Sequence, residues 1–223
     1  MYCQYMLYAS LCILAYKRPE WLRECLDSIL RTVDYPCEII VNCDGGDREC
    51  YLVAREYFEN NKISKLVLSN GKNRGVGTAF QNCLGVCEGD YIFKIDSDLI
   101  FREGWLSSAV SILENHLSVG AVSLFNYRNY DPNDTRFEIT KKEHDVLFVN
   151  DFVSSVYGFR KESLPMIVPV QDDGNHTKMG LLAITPIDLV HNRGFGVGKS
   201  VYVSGTLEKP YKTPTFQSPL LFP

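Results

Sequence analysis

Asp96 and Asp98 flank Ser97 in the segment Tyr91-Ile-Phe-Lys-Ile-Asp-Ser-Asp98, and in extended backbone the side chains at i and i+2 point the same way. Two carboxylates so placed can meet one hard cation. Mg²⁺ or Mn²⁺ held by one or two carboxylates keeps positions open for diphosphate oxygens and stabilises the anion that a departing diphosphate becomes. The same pair can also serve as a turn or a helix N-cap. Asp44, in Val41-Asn-Cys-Asp-Gly-Gly-Asp47, can accept a hydrogen bond from a nucleobase N–H, or only from its own turn. Asp47 reads as the cap of the helix that follows. Asn73 and Arg74, beside the glycines of Lys72-Asn-Arg-Gly-Val-Gly77, offer a polar wall for a nucleotide at a helix start. This Gly-x-Gly is not a dinucleotide fingerprint: it lies in the wrong strand–helix unit, and Phe80 stands where a third glycine is needed.

Further along the chain, His191 closes an apolar run as either a metal ligand or a structural histidine. Arg193 and Lys199 flank Gly194-Phe-Gly-Val-Gly198; they can clamp phosphates when a loop closes, or remain solvated. Asp172 and Asp173 are adjacent, so at most one of them faces a given site from a regular element; one is a candidate catalytic base and the other a turn residue. Trp105, Tyr157 and Phe195 are the aromatics that can stack on a sugar ring, or else pack internally.

Alternating strands and helices are expected to position these groups. Leu11–Ala15 reads as a strand and Glu20–Thr32 as a helix, with Trp21, Leu22, Cys25, Leu26, Ile29 and Leu30 at helical spacing and Pro19 suited to its first turn. Glu38–Val41, Ser64–Leu68 and Tyr91–Ile95 read as strands, the last nearly apolar except for Lys94; Arg48–Asn60 and Val76–Cys87 read as helices between them. Continuous apolar strands alternating with helices predict a parallel sheet covered on both faces, with its ligand at the carboxyl ends of the strands. Beyond Asp98, Trp105–Asn115 predicts a helix and Val119–Leu124 a strand. Strands resume within Leu147–Tyr157, a helix is expected through His176–Ala183, and Ile187–Val190 reads as a last strand. From Arg193 the glycines and prolines predict a loop-like tail.

With 223 residues, 45% of them hydrophobic, the chain can bury a substantial core. The net charge of −4, with no long run of like charge, disfavours a nucleic-acid partner. The eight cysteines are scattered without zinc-ligand spacing, and are read as reduced thiols in a cytoplasmic protein. The uncharged stretch Met1–Tyr16 lacks a basic n-region and is short for a span, so it is expected to be a leader and first buried strand, with no membrane span.

Taken in order, these segments resemble the GT-A glycosyltransferases of family 2, over about residues 10–195. Ala15-Tyr-Lys-Arg-Pro19 looks like the family's opening strand and turn, Asp44 like its base-reading aspartate, and Asn73 through Asn82 like its Asn-x-Gly helix start with a later Asn. Asp96-Ser-Asp98 stands where the family's Asp-x-Asp stands. Val156-Tyr-Gly-Phe-Arg160 looks like an acceptor-side segment and Val190-His-Asn-Arg-Gly194 like the late histidine. The resemblance implies an α/β fold: a single GT-A, Rossmann-like domain over 1–223, with a mostly parallel central sheet flanked by helices and a small antiparallel acceptor-side portion. Residues 1–98 would form the nucleotide-binding half, 99–192 the acceptor-binding half and 193–223 the tail. It also implies an inverting transfer from a nucleotide-diphosphate sugar, UDP ahead of GDP, to the hydroxyl of a saccharide or other acceptor, dependent on Mn²⁺ or Mg²⁺. Asp98 and His191 would hold the metal, Asp96 the metal or the ribose. Ala15, Tyr16, Arg18, Asp44, Asn73, Arg74, Asp96 and Ser97 would line the nucleotide, Arg193 and Lys199 its phosphates, and Trp105 and Tyr157 the acceptor. Asp172 or Asp173 would be the base. A sugar-phosphate nucleotidyltransferase would share this layout but should open with a Gly-rich loop, which Ala15–Pro19 lacks. A non-catalytic nucleotide-binding domain of the same fold would differ in having no base.

Overall fold

A computed structural model of the chain describes residues 7–69, 71–124, 138–143, 146–150, 156–164, 181–185 and 190–191. Four strands open it with the helices between them: β1 Ala9–Ala15, α1 Pro19–Thr32, β2 Cys37–Cys43, α2 Arg48–Glu59, β3 Lys65–Leu68, α3 Gly75–Leu84 and β4 Tyr91–Asp96. They are followed by β5 Leu99–Ile100, α4 Trp105–Asn115, β6 Val119–Leu124, β7 Glu138–Glu143, β8 Val146–Asn150 and β9 Val156–Arg160, then by a 3-10 turn at Lys161–Ser163, β10 Leu181–Thr185 and β11 Val190–His191.

Nine strands form one sheet in the order β3-β2-β1-β4-β9-β6-β10-β8-β7. Its first half, β3-β2-β1-β4, is parallel throughout. β9 then runs antiparallel to both β4 and β6, β10 runs parallel to β6, and β8 and β7 continue antiparallel. The parallel half is covered on both faces, so its side chains alternate between two buried layers rather than between core and water. Leu11 and Ile13 of β1 join Phe93 and Ile95 beneath α1, α2 and α4. Cys12 and Leu14 join Ile92, Tyr157 and Phe159 beneath α3.

The helices begin where local chemistry starts them. Asp47 caps α2 by accepting from the amides of Glu49 and Cys50, as its position predicts. α1 begins at Pro19, whose missing N–H would have had no partner in a first helical turn. α3 ends at Leu84, so Cys87 lies beyond the helix rather than on its face. Leu181–Ala183 belongs to β10 rather than to a helix: the apolar run Leu181-Leu-Ala-Ile fits either period, and pairing with β6 and β8 on both sides decides for the strand. Residues 176–180 and 193–223 lie outside the described residues. Among the described residues no helix is long and apolar enough to cross a membrane.

Candidate functional site

The order β2-β1-β4 places a crossover in one direction from β1 and a neighbour on its other side, which opens a crevice outside the carboxyl ends of these strands. The register puts Leu14 opposite Asp96 and Ala15 opposite Cys43, so the turns that follow β1, β2 and β4 meet at one edge. Three of the singled-out acidic residues, Asp44, Asp96 and Asp98, come from these strand ends. They were separated in sequence and are gathered here by the sheet.

Asp44 follows β2 and is buried. Its own amide donates to the Ala15 carbonyl at 2.9 Å. Its Oδ1 accepts from Gly45 N–H at 2.8 Å, and its Oδ2 accepts from the amides of Arg74 and Gly75 at 3.1 and 3.2 Å. The carboxylate therefore fastens the start of α3 to the end of β2 and places negative charge at a helix N-terminus, where the backbone dipoles favour it. Gly45 permits this approach: with φ +67° it lies in the left-handed region, and a Cβ there would come within 2.8 Å of the Asn73 nitrogen. Asn73 Oδ1 accepts from Gly75 N–H at 2.8 Å, while the Asn73 and Arg74 side chains remain exposed at the rim. Asn82 holds the third turn, donating to Ser69 Oγ at 2.9 Å, and Ser69 donates to Asn42 Oδ1 at 3.2 Å.

Asp96 ends β4 and is 29% exposed at the crevice; the Lys94 ammonium, two residues back on the same strand, donates to its Oδ1. Lys94 Nζ also lies 6.0 Å from the centre of the Tyr157 ring. Burial, together with the negative charge of Asp96, pushes the Tyr157 hydroxyl well above its ordinary pKa. Asp98 is buried and pairs with Arg18: Nη1 donates to Oδ2 at 2.9 Å, with both side chains 7% exposed. Ser97, between the two carboxylates, is buried as well. After Asp98 the chain forms β5, which pairs antiparallel with β11, and that register sets His191 opposite Leu99. The expected late histidine thus arrives, by its backbone, beside the residue that follows Asp98.

From the sequence Lys94 has no expected part in the site, and Arg18 is expected at the nucleotide without its pairing to Asp98. Lys94 is visible as the one charge in an apolar strand. The pairing of Arg18 with Asp98 spans 80 positions and has no local signal.

The donor set suits a hard divalent cation. Asp98 already draws a guanidinium to its carboxylate, and two carboxylate oxygens are typical of what Mg²⁺ accepts from protein when phosphates supply the rest. Among the described residues, no group of three or more His, Cys, Asp or Glu comes together as a metal cage.

The aromatic candidates are corrected. Trp105 is 0% exposed and packs edge-on against Phe93, with ring centres 5.9 Å apart. Tyr157 is equally enclosed, against Phe80 and Phe159. Neither offers a face to an acceptor. Asp172, Asp173, Arg193, Phe195 and Lys199 lie outside the described residues.

Comparison with known proteins agrees with this fold. The family model described as Glycosyl transferase family 2 matches residues 10–167. That span includes Asp44, Asp96 and Asp98 and stops short of Asp172, Asp173 and His191. The chain is 25% identical over 122 residues to a chondroitin synthase of Escherichia coli, a match covering 55% of this chain and 17% of that protein. Among solved structures it resembles a mannosyltransferase from Pyrobaculum calidifontis in complex with GDP-Man and Mn²⁺. The TM-score is 0.62 at 18% identity, covering 83% of this chain and 58% of that one. It also resembles S. aureus TarS 1–349 in complex with UDP-GlcNAc, with TM-score 0.62 at 15% identity, covering 82% and 57%. These likenesses give the GT-A fold. The chain spans under two thirds of the length of each of these proteins.

Proposed function

The chain belongs to glycosyl transferase family 2, and from that membership we propose that it transfers a sugar, with inversion, from a nucleotide-diphosphate sugar to an acceptor hydroxyl in a divalent-metal-dependent reaction. One observation carries this reading: Asp44, Asp96 and Asp98 converge on one crevice at the carboxyl edge of a parallel sheet, two of them beside protein cations and one fastening a helix start. Such an edge suits a ligand that is a base at one end and a diphosphate at the other.

In this reading the oxygens of Asp44, fixed by three amides, keep lone pairs for a nucleobase N–H. Ala15, Tyr16, Asn73 and Arg74 border the nucleoside, and Asp96 and Ser97 face the ribose. Asp98 and His191 hold Mn²⁺ or Mg²⁺, with Asp96 as the further candidate ligand. When bound, the cation supplies positive charge to the diphosphate leaving group. Arg193 and Lys199 close on the phosphates. Asp172 or Asp173 removes the proton of the acceptor hydroxyl; its oxygen attacks the anomeric carbon on the face opposite the diphosphate, and the C–O bond to the diphosphate breaks with its electron pair leaving on the nucleotide. The solved relatives hold GDP-Man in one case and UDP-GlcNAc in the other, so both nucleotides belong in the test, with UDP placed first.

A panel of UDP- and GDP-sugars scored for metal-dependent donor hydrolysis tests the proposal. Turnover of one donor, abolished by EDTA and restored by Mn²⁺, is the expected result. Binding of nucleotide without turnover of any donor would favour a non-catalytic domain.

A further inference from the structure

Resting on the metal-dependent reading above, we propose that Arg18 is the resident counter-ion of Asp98, displaced when a divalent cation takes that carboxylate and then free to donate to the diphosphate the cation brings.

The two carboxylates of the Asp-x-Asp are neutralised in different ways. Asp96 is paired with Lys94, which sits within β4 and is walled in beside Tyr157. That cation is built into the sheet and cannot leave without disturbing the core. Asp98 is paired with Arg18, which belongs to the turn between β1 and α1. The turn is held in an uncommon form, with Lys17 at φ 49° and Arg18 at φ 72°. Consecutive non-glycine residues in the left-handed region are disfavoured and persist where the surroundings enforce them. Here the Asp47 carboxylate accepts from the Lys17 amide, and the Arg18 carbonyl accepts from the amides of Trp21 and Leu22 at 3.1 and 3.2 Å. As residue preceding the first turn of α1, Arg18 makes no side-chain cap; its side chain is committed to Asp98 instead.

The guanidinium is also incompletely satisfied. It is stacked 4.5 Å from the Trp21 ring centre, and its buried Nε–H has no hydrogen-bond partner among the described residues. A buried donor without an acceptor is costly, and an arginine fork is matched to phosphate oxygens. The guanidinium, on Oδ2, and a divalent cation would compete for the charge of the one Asp98 carboxylate, whereas the guanidinium and a diphosphate would attract each other. Mn²⁺ alone therefore meets a competitor. Mn²⁺ arriving with a diphosphate turns that competitor into a partner, which makes metal and nucleotide binding mutually reinforcing.

Calorimetry on the folded protein tests this with MnCl₂ alone, UDP alone, and UDP at saturating Mn²⁺, with GDP in parallel. Arg18→Met should bind Mn²⁺ alone more tightly than wild type, on the order of tenfold, and should bind UDP in saturating Mn²⁺ more weakly by a similar factor. Arg18→Lys retains a cation at Asp98 without the fork; it should shift both affinities in the same directions by less, and it carries the test should Arg18→Met not fold. Mn²⁺ affinity that is unchanged or weakened in these variants, or unchanged UDP affinity, overturns the proposal. If wild type shows no coupling between Mn²⁺ and either nucleotide, the metal-dependent reading falls with it; coupling that survives the Arg18 variants removes only the role given to Arg18.

Discussion

Asp172 and Asp173 can be told apart by substitution. The base should, on replacement by Asn, lose transfer by about 10²–10⁴-fold while nucleotide affinity is retained. The other should stay near wild type, and steady-state kinetics beside nucleotide titration makes the distinction. Two equally active variants would remove both residues from the mechanism. Single-residue chemistry was legible in the sequence where spacing alone set it. Asp96 and Asp98 are neighbours in one extended segment, and Asp44 ends an apolar run, so their arrival at one edge follows from the strands that bear them. The cations opposite them were not legible in the same way. Lys94 interrupts an apolar strand without showing what it meets, and the contact between Arg18 and Asp98 exists only once β1 lies beside β4. The buried aromatics misled for a related reason: a Trp or Tyr pattern is the same whether its ring faces a sugar or, as for Trp105, the ring of Phe93.

Helix starts and strand junctions carry the site, and two glycines test them. Gly45→Ala forces a Cβ toward the Asn73 backbone at a positive φ. It should destabilise the protein by about 1–3 kcal/mol, and weaken nucleotide binding because it pushes the start of α3 from Asp44. Gly158→Ala, in β9, would set a Cβ 2.2 Å from the Phe93 ring. Phe93 is wholly buried against Trp105, so this change should cost about 1–3 kcal/mol in denaturant melts without a selective effect on nucleotide affinity. α1, α2 and α4 were readable because each shows one apolar face, and α4 and β6 fall where the pattern set them, at Trp105–Asn115 and Val119–Leu124. β7, Glu138-Ile-Thr-Lys-Lys-Glu143, carries too little apolar signal to be noticed. β5 is two residues long, below any period, and of the expected last strand Ile187–Val190 only Val190, in β11, lies among the described residues. β10 was misread because an apolar run flanked on both sides by strands has no face to betray it.

On the scale of the whole molecule, the parallel half of the sheet is fastened by polar clamps as well as by its core. Glu38 illustrates them. Burial alone would raise its pKa, but hydrogen bonds from Lys65, Ser10 and the Glu88 amide outweigh this and lower it below the ordinary 4.5. A carboxylate depressed in the folded state contributes stability that is fully present above its unfolded value and is lost as pH falls through the folded one. The melting temperature should therefore decline on the acid side below about pH 4.5, and Glu38→Gln should flatten that limb, as a thermal scan across pH would read. The central claim concerns the edge where Asp44, Asp96 and Asp98 meet, and thermal melts with ligand address it most directly. UDP or GDP together with Mn²⁺ should raise the melting temperature of the wild type more than the two separate shifts combined, and Asp98→Asn should abolish that excess while leaving the metal-free nucleotide shift in place. Equal nucleotide shifts with and without Mn²⁺, or an excess that Asp98→Asn leaves intact, would contradict the account.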